Sequence, residues 1–391
     1  PVEIEEIPLE NADGRVLGEE IRAPLNLPPF DNSSMDGFAI RAADVAAASP
    51  ETPVTLQVIA DIPAGSAPAV TVQPGQAARI MTGAPMPTGA DTVVPVEDTD
   101  QGRKPRGNDP LPPQVQVFRA VERGAYVRPA GEDVHTGEVV LTPRRLRPQD
   151  VGFLAMLGMA HIPVRRKPRI ALISSGDELL PPGAPIAPGK IYDANTYSLQ
   201  ALLRRFGAEP LWMGRIPDKL EAAQDALQRA VDSGADLLVS SAGVSMGAYD
   251  FLRVAIEEQG ALNFWRVNMR PGKPLTFGTY RGVPFLGLPG NPVSAFVSAN
   301  VFLRMVVRRM LGLSPRLSTR RVTLGEPVRS DGRQSFLRAV LREEGNRQIA
   351  YLAGHQGSGN LYGMTQAQVL LIVPAGVTSL PAGASVEAMD V

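Results

Sequence analysis

The strongest constraint in this sequence is an alternation of short apolar runs with amphipathic segments between about residues 167 and 312. The apolar runs have the length of buried strands and fall at residues 170–173, 211–214, 237–239 and 285–288. Helical segments fall at residues 197–206, 219–231 and 251–259, and the apolar stretch of residues 293–311 indicates a buried helix. Strands that alternate with helices form parallel sheets with helices on both faces. The pattern therefore predicts a central, doubly wound α/β domain.

The segments on either side of this region carry short β-type runs broken by proline and glycine, without a helical period. They extend from about residue 53 to 127 and from about residue 319 to 391. Residues 147–158 differ, because their apolar side chains recur at helical spacing. We predict two small β domains flanking the α/β domain, with a helix in the segment that leads into it.

Composition and charge exclude several classes of protein. The formal net charge is −1 and charges of both signs are mixed along the chain, whereas a general nucleic-acid binder shows a basic stripe. The sequence has no cysteine, which excludes disulfides, zinc thiolate sites and a cysteine nucleophile. No apolar run approaches the ~18 residues that span a bilayer, and no signal-peptide pattern opens the chain. We expect a cytoplasmic protein that binds neither nucleic acid nor membranes.

Two of the predicted strands end in polar turns that contain glycine. The first turn covers residues 174–178, with the sequence SSGDE, and the second covers residues 240–247, with the sequence SSAGVSMG. In an open parallel sheet, ligands bind outside the carboxyl ends of the strands. Backbone N–H groups at such a turn, together with a helix N-terminus, favour a phosphate. The alternative for each segment is an ordinary connecting turn.

Carboxylates cluster after the predicted strands. Asp177 and Glu178 follow one strand, Asp218 follows another, and Asp250 follows the glycine-containing turn. Several carboxylates beside phosphates indicate Mg²⁺, which prefers oxygen ligands. Helix N-capping is the alternative for Asp218 and Asp250, and Asp218 with Glu221 resembles a capping box. Asp177 and Glu178 begin no predicted helix, which favours a functional role for this pair.

The densest basic turn is residues 270–274, with the sequence RPGKP. Two prolines and a glycine fix its backbone, so Arg270 and Lys273 form a rigid pair of cations suited to an oxyanion. The alternative is a solvated hairpin. A second stiff turn, residues 288–294 with the sequence LPGNPVS, opens a predicted helix. Its Ser294 suits either an anion contact or a helix cap.

Six motifs follow one another along almost the whole chain. They are residues 32–39 (NSSMDGFA), 79–85 (RIMTGAP), 131–133 (GED), 174–179 (SSGDEL), 270–274 (RPGKP) and 288–294 (LPGNPVS). Together they resemble the hallmarks of the molybdopterin molybdotransferase family, which includes the E domain of gephyrin. One of these motifs would be a weak signal, but six in the same order are very specific.

The resemblance implies a transferase of molybdenum cofactor biosynthesis that acts as a homodimer. Mg²⁺ and molybdate would promote the loss of AMP from adenylylated molybdopterin while molybdate is placed on the dithiolene. The implied regions are a linker and dimerisation region (1–27 and 137–166), a β-rich N-terminal domain (28–136), a molybdopterin-binding α/β domain (167–314) and a C-terminal β barrel (315–391). The cleft would lie between the α/β domain of one subunit and the N-terminal β domain of the other.

Carried over position by position, the resemblance assigns roles to individual residues. The implied catalytic residues are Asp36, Thr82, Asp177, Glu178, Asp218 and Asp250, of which Asp36 and Thr82 would serve the partner's cleft. The implied pterin-binding residues are Ser175, Gly176, Gly243, Val244, Ser245, Gly247, Pro271, Gly272, Pro289, Gly290, Asn291 and Pro292. Molybdate would be surrounded by Arg270, Lys273, Ser294, Arg338 and Ser358, and Mg²⁺ by Asp177, Glu178 and Asp250.

Three departures from the family pattern bear on the site. Ser175 stands where threonine is usual, which keeps the hydroxyl group. Ala242 stands where glycine is common, which alters how the loop approaches the pterin. Arg266 and Arg270 stand where some relatives have lysine, which keeps the charge but changes the hydrogen-bond geometry.

Two other functions compete with this interpretation. Residues 243–247 fit the G-x-S-x-G elbow of serine hydrolases, and Ser245, Asp250 and His355 follow in the order of a triad. A hydrolase of this kind would also need an HGGG-type oxyanion loop, which the sequence lacks. The second competitor is a non-catalytic scaffold, because some relatives organise other proteins. Other cofactor-biosynthesis proteins and apo-molybdoenzymes would be the further partners of this family.

Overall fold

The computed structural model describes residues 1–102, 110–243, 251–345 and 347–391. The chain divides into two compact units. The larger contains Pro1–Gly18, Pro143–Arg147 and His161–Val391, and the smaller contains Glu19–Thr142 and Pro148–Ala160. Within the described ranges, no helix combines the length and the apolar character needed to cross a membrane.

The N-terminal part of the chain consists mainly of short strands. In chain order they are β1 Ile4–Pro8, β2 Ile21–Arg22, β3 Asn32–Ser33, β4 Gly37–Ile40, β5 Val54–Ile62, β6 Gln76–Ile80, β7 Thr92–Pro95, β8 Gln114–Val117, β9 Val127–Arg128, β10 Val139–Leu141 and β11 His161–Arg165. Helix α1, Pro148–Met156, lies in the segment whose apolar spacing predicted a helix. In the larger unit β1 pairs antiparallel with β11.

The smaller unit is built on a five-stranded sheet with the order β7-β4-β6-β5-β8. Strand β4 lies between β6 and β7 and is antiparallel to both. Gly37 begins this strand, and a Cβ at that position would lie 1.9 Å from the carbonyl oxygen of Val94. Only glycine permits so close an approach of two backbones. Gly37 therefore fixes the position of the backbone at the start of β4, directly after Asp36.

The central region contains the predicted α/β domain. Its strands are β12 Arg169–Ser175, β13 Leu179–Leu180, β14 Ile191–Tyr192, β15 Glu209–Ile216, β16 Leu237–Ser241, β17 Gly260–Arg266, β18 Met269–Arg270, β19 Pro274–Tyr280 and β20 Val283–Leu288. Its helices are α2 Asn195–Phe206, α3 Leu220–Asp232, α4 Phe251–Gln259, α5 Pro292–Ser298 and α6 Arg304–Met310, with a π-helical stretch at Ala299–Leu303 joining the last two.

The main sheet of this domain has the order β15-β12-β16-β20-β19-β17. The first four strands are parallel to their neighbours, and β19 and β17 are antiparallel additions at one edge. Helix α2 and the α5–α6 run pack on one face of the sheet, where Leu203, Leu303 and Leu172 belong to one buried apolar cluster. Helices α3 and α4 pack on the other face through Leu227 and Ile256. The predicted doubly wound α/β domain is confirmed.

The C-terminal region forms a closed β barrel. Its elements are β21 Arg320–Leu324, β22 Val328–Arg329, β23 Gln334–Glu344, β24 Arg347–Leu352, α7 Leu361–Gln366, β25 Val369–Val373, β26 Ser379–Leu380 and β27 Ser385–Asp390. Five of the strands pair in the order β23-β24-β21-β27-β25, and β25 pairs again with β23 to close the barrel. Short strand β18 pairs with β23, so the basic turn of residues 270–274 starts at the barrel. The predicted C-terminal barrel is confirmed.

Candidate active site

A cavity of about 430 Å³ lies at the carboxyl ends of β12, β16 and β20 in the larger unit. Its walls come from the turns that follow these three strands and from the starts of α2 and α5. The lining residues are Ser175, Glu178, Leu179, Ile191, Tyr192, Asp193, Ala194, Asn195, Ser241, Ala242, Gly243, Pro274, Pro289, Gly290, Asn291, Pro292 and Ser294. The position is the one expected for a ligand site in an open parallel sheet.

The turn after β16 passes close to the end of β12. A Cβ on Gly243 would lie 2.7 Å from the Ser175 hydroxyl oxygen, so the glycine lets the two turns approach. Ala242 has a φ of 73°. A left-handed conformation costs an L-residue about 1–2 kcal/mol, whereas glycine adopts it without this cost. Val244, Ser245, Gly247 and Asp250, which the sequence also assigned to this loop, lie outside the described residues.

Asp177 and Asp218 meet at the edge of the cavity. The backbone N–H of each residue donates to the carboxylate of the other at 3.4 Å. Lys190 Nζ donates to the carbonyl oxygen of Asp177 at 2.6 Å. The N-cap of α3 is Lys219, so Asp218 lies one residue before the cap. The contact of Asp218 with Asp177 brings together two turns that are far apart in the sequence.

The Glu178 carboxylate lies over Gly176. A Cβ on Gly176 would approach Glu178 Oε2 within 2.7 Å, and the φ of 142° at this residue also favours glycine. Glu178 lines the cavity, with Asp177 and Asp218 beside it. Within the described part of the chain, no group of three or more acidic or histidine side chains is close enough to hold a metal ion by itself. Two carboxylates suffice for Mg²⁺ when waters and substrate phosphates complete the shell, so this donor set fits that ion.

The turn of residues 288–294 opens α5 on the opposite side of the cavity. Asn291 is the N-cap and Pro292 the first helical residue, a position that proline favours. Ser294 is only 4 % exposed and lines the cavity. Ser358 reaches the same turn from the barrel, because Asn291 Nδ2 donates to Ser358 Oγ at 3.1 Å and Val293 N donates to Ser358 O at 3.0 Å. The structure therefore brings Ser294 and Ser358 to one helix start.

Arg338 does not face this cavity. It is 1 % exposed, and its guanidinium donates to the carbonyl oxygens of His355 at 2.6 Å, Gly357 at 3.2 Å and Asn360 at 3.0 Å. Burial lowers the pKa of Arg338. The guanidinium is directed at the loop that carries Ser358, and the contact of Arg338 with molybdate stays a prediction. Arg338 positions that loop.

The basic turn of residues 270–274 contacts both the barrel and α5. Arg270 Nη1 lies 3.7 Å from Asp331 Oδ2, and both side chains are partly exposed. Gly272 has a φ of 106°, and a Cβ there would come within 2.5 Å of Ser298 Oγ on α5. Lys273 is exposed, and its carbonyl oxygen accepts from Val267 N at 3.0 Å. Pro271 is half-buried in the turn.

Asp36 and Thr82 lie together in the smaller unit. The backbone N–H and the hydroxyl of Thr82 both donate to Asp36 Oδ1, at 2.8 and 2.7 Å. These two residues are 46 positions apart and belong to two different sequence motifs. The close contact shows that the two motifs build one local structure on the sheet of this unit.

Asn195 is a cavity residue that the sequence did not single out. Its Nδ2 donates to Ser241 Oγ at 2.8 Å and to the carbonyl oxygen of Gly290 at 2.7 Å, which ties the turns after β16 and β20 together. Its Oδ1 is buried without a hydrogen-bond partner among the described residues. The only local signal was an asparagine at the start of a predicted helix, a position usually explained by capping.

Models of known protein families match nearly the whole chain. The model described as the MoeA N-terminal region (domain I and II) matches residues 1–158. The model of a probable molybdopterin binding domain matches residues 171–309, and that of the MoeA C-terminal region (domain IV) matches residues 321–391. The chain belongs to the molybdopterin molybdenumtransferase family. It is a transferase of molybdenum cofactor biosynthesis.

Relatives agree with this assignment over their full lengths. Molybdopterin molybdenumtransferase 2 of Mycobacterium tuberculosis is 40 % identical, over 98 % of this chain and 94 % of its own. Molybdopterin molybdenumtransferase of Bacillus subtilis is 34 % identical, over 99 % and 90 %. Two solved structures of the molybdopterin biosynthesis MoeA protein of Pyrococcus horikoshii have TM-scores of 0.82 and 0.81 at 32 % and 30 % identity, and cover 99 % of this chain and 94 % of theirs.

The placement of Arg338 predicts the effect of removing its side chain. Arg338→Ala deletes three charge-assisted hydrogen bonds to backbone carbonyls, each of a kind worth about 1.5–3 kcal/mol. We expect the free energy of unfolding, measured by urea denaturation, to fall by at least the about 1.5–3 kcal/mol of one such bond. The control is Arg347→Ala, which removes an exposed arginine from β24. A stable Arg338→Ala protein with a weakened molybdate dependence would instead make Arg338 a direct ligand.

Proposed function

We propose that this chain inserts molybdate into adenylylated molybdopterin, releases AMP in a Mg²⁺-dependent reaction, and so forms the molybdenum cofactor. The observation that carries the proposal is the cavity at the ends of β12, β16 and β20, which has carboxylates on one side and a stiff turn with the buried hydroxyl of Ser294 on the other. This arrangement occurs in a chain whose relatives are named molybdopterin molybdenumtransferases. We infer that the protein works in the cytoplasm.

The strand ends would hold the pterin and its phosphate. Ser175 and Gly243 line the cavity at two neighbouring turns, and the glycines at 176 and 243 allow these turns to pack closely around it. The turn of residues 289–292 closes the other wall, and the N-terminus of α5 adds a favourable field for an anion. We assign Val244, Ser245 and Gly247 to the same surface on the family resemblance alone.

The carboxylates would act on the nucleotide side. Asp177 and Glu178 would hold Mg²⁺ together with Asp250, and Asp218 would lie beside them on the nucleotide side. The ion would neutralise phosphate charge when bound. Mutual contact between the turns of Asp177 and Asp218 keeps these oxygens close before any ligand arrives, so little reorganisation is needed on binding.

The cations and hydroxyls would hold molybdate on the other side. Molybdate is a dianion at neutral pH, and a dianion in a partly dehydrated cavity requires fixed donors. Lys273 and Arg270 would supply charge from the rigid turn, and Ser294 a hydroxyl from the first turn of α5. Ser358 stands at the same helix start and is held there by the Arg338-clamped loop. These contacts would orient the oxyanion toward the dithiolene sulfurs and exclude water from that face.

A homodimer would complete the site. Asp36 and Thr82 are held together by two hydrogen bonds in the smaller unit, and we propose that they serve the cleft of the partner subunit. We also propose the four-region division, with residues 1–27 and 137–166 as the linker and dimerisation region, 28–136 as the β-rich domain, 167–314 as the α/β domain and 315–391 as the barrel.

The reaction itself can be tested with purified protein, adenylylated molybdopterin, Mg²⁺ and molybdate, by measuring AMP and active cofactor. We expect Asp177→Ala and Glu178→Ala to abolish both products and to leave the fold intact, because they remove oxygen ligands at an exposed cavity edge. Asp225→Ala is the matched control, since it removes an exposed carboxylate of α3 outside the cavity. Near-normal turnover by both cavity variants, or no AMP release by the wild type, would refute the proposal.

The shared cleft predicts that two inactive chains complement each other. Asp36→Ala and Asp177→Ala should each be inactive as homodimers. A mixed dimer has one cleft in which both wild-type residues are present, so co-refolded chains should recover up to about a quarter of wild-type activity for random pairing. Light scattering checks the oligomeric state. A monomer in solution, or mixed dimers without activity, would contradict the shared cleft.

Lys273 should govern the use of molybdate. A charge-assisted contact is worth about 1.5–3 kcal/mol, so Lys273→Ala should raise the half-saturating molybdate concentration about ten- to a hundredfold. High molybdate should restore turnover, and binding of adenylylated molybdopterin should change less. Melting curves of both proteins test the alternative that the turn only braces the domain. In that case the variant melts earlier and its molybdate titration matches the wild type.

A further inference from the structure

A basic cavity lies at the far end of α2 from the candidate active site. Helix α2 has twelve residues, so its first residue, which lines the active-site cavity, is about 16 Å along the helix axis from its last. The last residue, Phe206, lines a separate cavity of about 200 Å³. Four arginines line this cavity, and we call them the arginine cluster: Arg145, Arg205, Arg304 and Arg308.

The arginine cluster has too few carboxylates to balance its charge. Asp390 is the acidic side chain that lines the same cavity, and it is mostly exposed and paired with Arg320 at 2.7 Å. Arg145 and Arg205 also line an adjoining cavity of about 280 Å³. That cavity adds further cations and one carboxylate: Arg15, Arg165, Lys167, Arg204 and Asp13. The two cavities share Arg145 and Arg205, and their linings together carry an excess of positive charge even though Arg15 is paired with Glu5.

The arginines of the cluster repel one another in a partly buried setting. Burial and then the charges of Arg308 and Arg205 lower the pKa of Arg304. Burial and then the charges of Arg308 and Arg304 lower the pKa of Arg145. Like charges at short range cost free energy, and the cost rises as water is excluded. A bound anion would offset this cost.

Ordinary structural roles account for only part of the cluster. Arg145 Nη2 donates to the carbonyl oxygen of Phe206 at 2.7 Å and caps the C-terminus of α2. Arg205 and Arg308 lie in the last turns of α2 and α6, where the helix dipole favours a cation. Arg304 is different, since it lies inside the continuous helical run from Pro292 to Met310. Its side chain makes no hydrogen bond or ion pair with a described residue, whereas its backbone N–H donates to Ala299 O.

We propose that the arginine cluster binds a compact anion that carries two or more phosphoryl groups. Four guanidinium groups exceed the charge of one phosphate dianion but match that of a diphosphate. Their planar forks suit phosphate oxygens, which they can contact in pairs. The concave shape favours a small ligand over an acidic protein surface. This site is independent of the molybdate chemistry at the other end of α2.

Calorimetric titration with pyrophosphate tests the proposal, in 150 mM KCl with a chelator present. The wild type should bind pyrophosphate, and inorganic phosphate should bind at least tenfold more weakly. Arg304→Gln should weaken pyrophosphate about ten- to a hundredfold, as expected for one charge-assisted contact. Arg347→Gln removes the same charge from an exposed barrel position outside both cavities and should leave the affinity unchanged.

Two further measurements distinguish binding at the arginine cluster from binding at the active-site turn and from a purely structural role of Arg304. Lys273→Ala should bind pyrophosphate like the wild type, and a loss in this variant would place the anion at the active-site turn instead. Without ligand, Arg304→Gln should melt at or above the wild-type temperature, because it relieves repulsion. The proposal is overturned if the wild type does not bind pyrophosphate, or if Arg304→Gln binds it as tightly as the wild type does. It is also overturned if the wild type binds a polyglutamate peptide more tightly than pyrophosphate.

Discussion

Parallel pairing of β12, β16 and β20 is the constraint on which the rest of the candidate site depends. Their registers place Ser174 beside Ser241 and Ser241 beside Leu288, so all three strands end at one edge of the sheet. Helices cover both faces, which leaves that edge as the place where polar turns reach solvent. The cavity forms there because each strand must turn back into a helix, and the helices begin at its walls.

Buried polar contacts then fix the turns relative to one another. Asn195 joins the turns after β16 and β20, at the cost of a buried Oδ1 that lacks a partner among the described residues. Arg338 holds the loop of residues 355–360, and Ser358 of that loop meets the start of α5. A buried guanidinium needs acceptors for most of its donors, and three carbonyl oxygens of this loop accept from Arg338, whereas its Nε has no partner among the described residues. The barrel thereby braces the start of α5, whose residues form one wall of the site.

Much of this architecture was readable from the sequence. Strands buried on both faces require continuous apolar runs, and three of the runs became β12, β16 and β20, while the fourth became the edge strand β15. Strands β17 and β19 were missed because antiparallel strands near a sheet edge are half-buried and show no such run. Helix α7 was missed as well, since six residues are too few to display a helical period.

The sequence by itself determined the order of strands and helices, the family motifs and the types of side chain at the strand ends, because these depend on local periodicity and on adjacent residues. Only the tertiary structure decided which polar atoms meet. Asn291 and Ser358 are 67 positions apart, and Asn195 and Ser241 are 46 apart, so packing alone sets these contacts. The direction of the Arg338 charge was decided in the same way, because a guanidinium inside a protein turns toward whichever carbonyls the fold brings within reach.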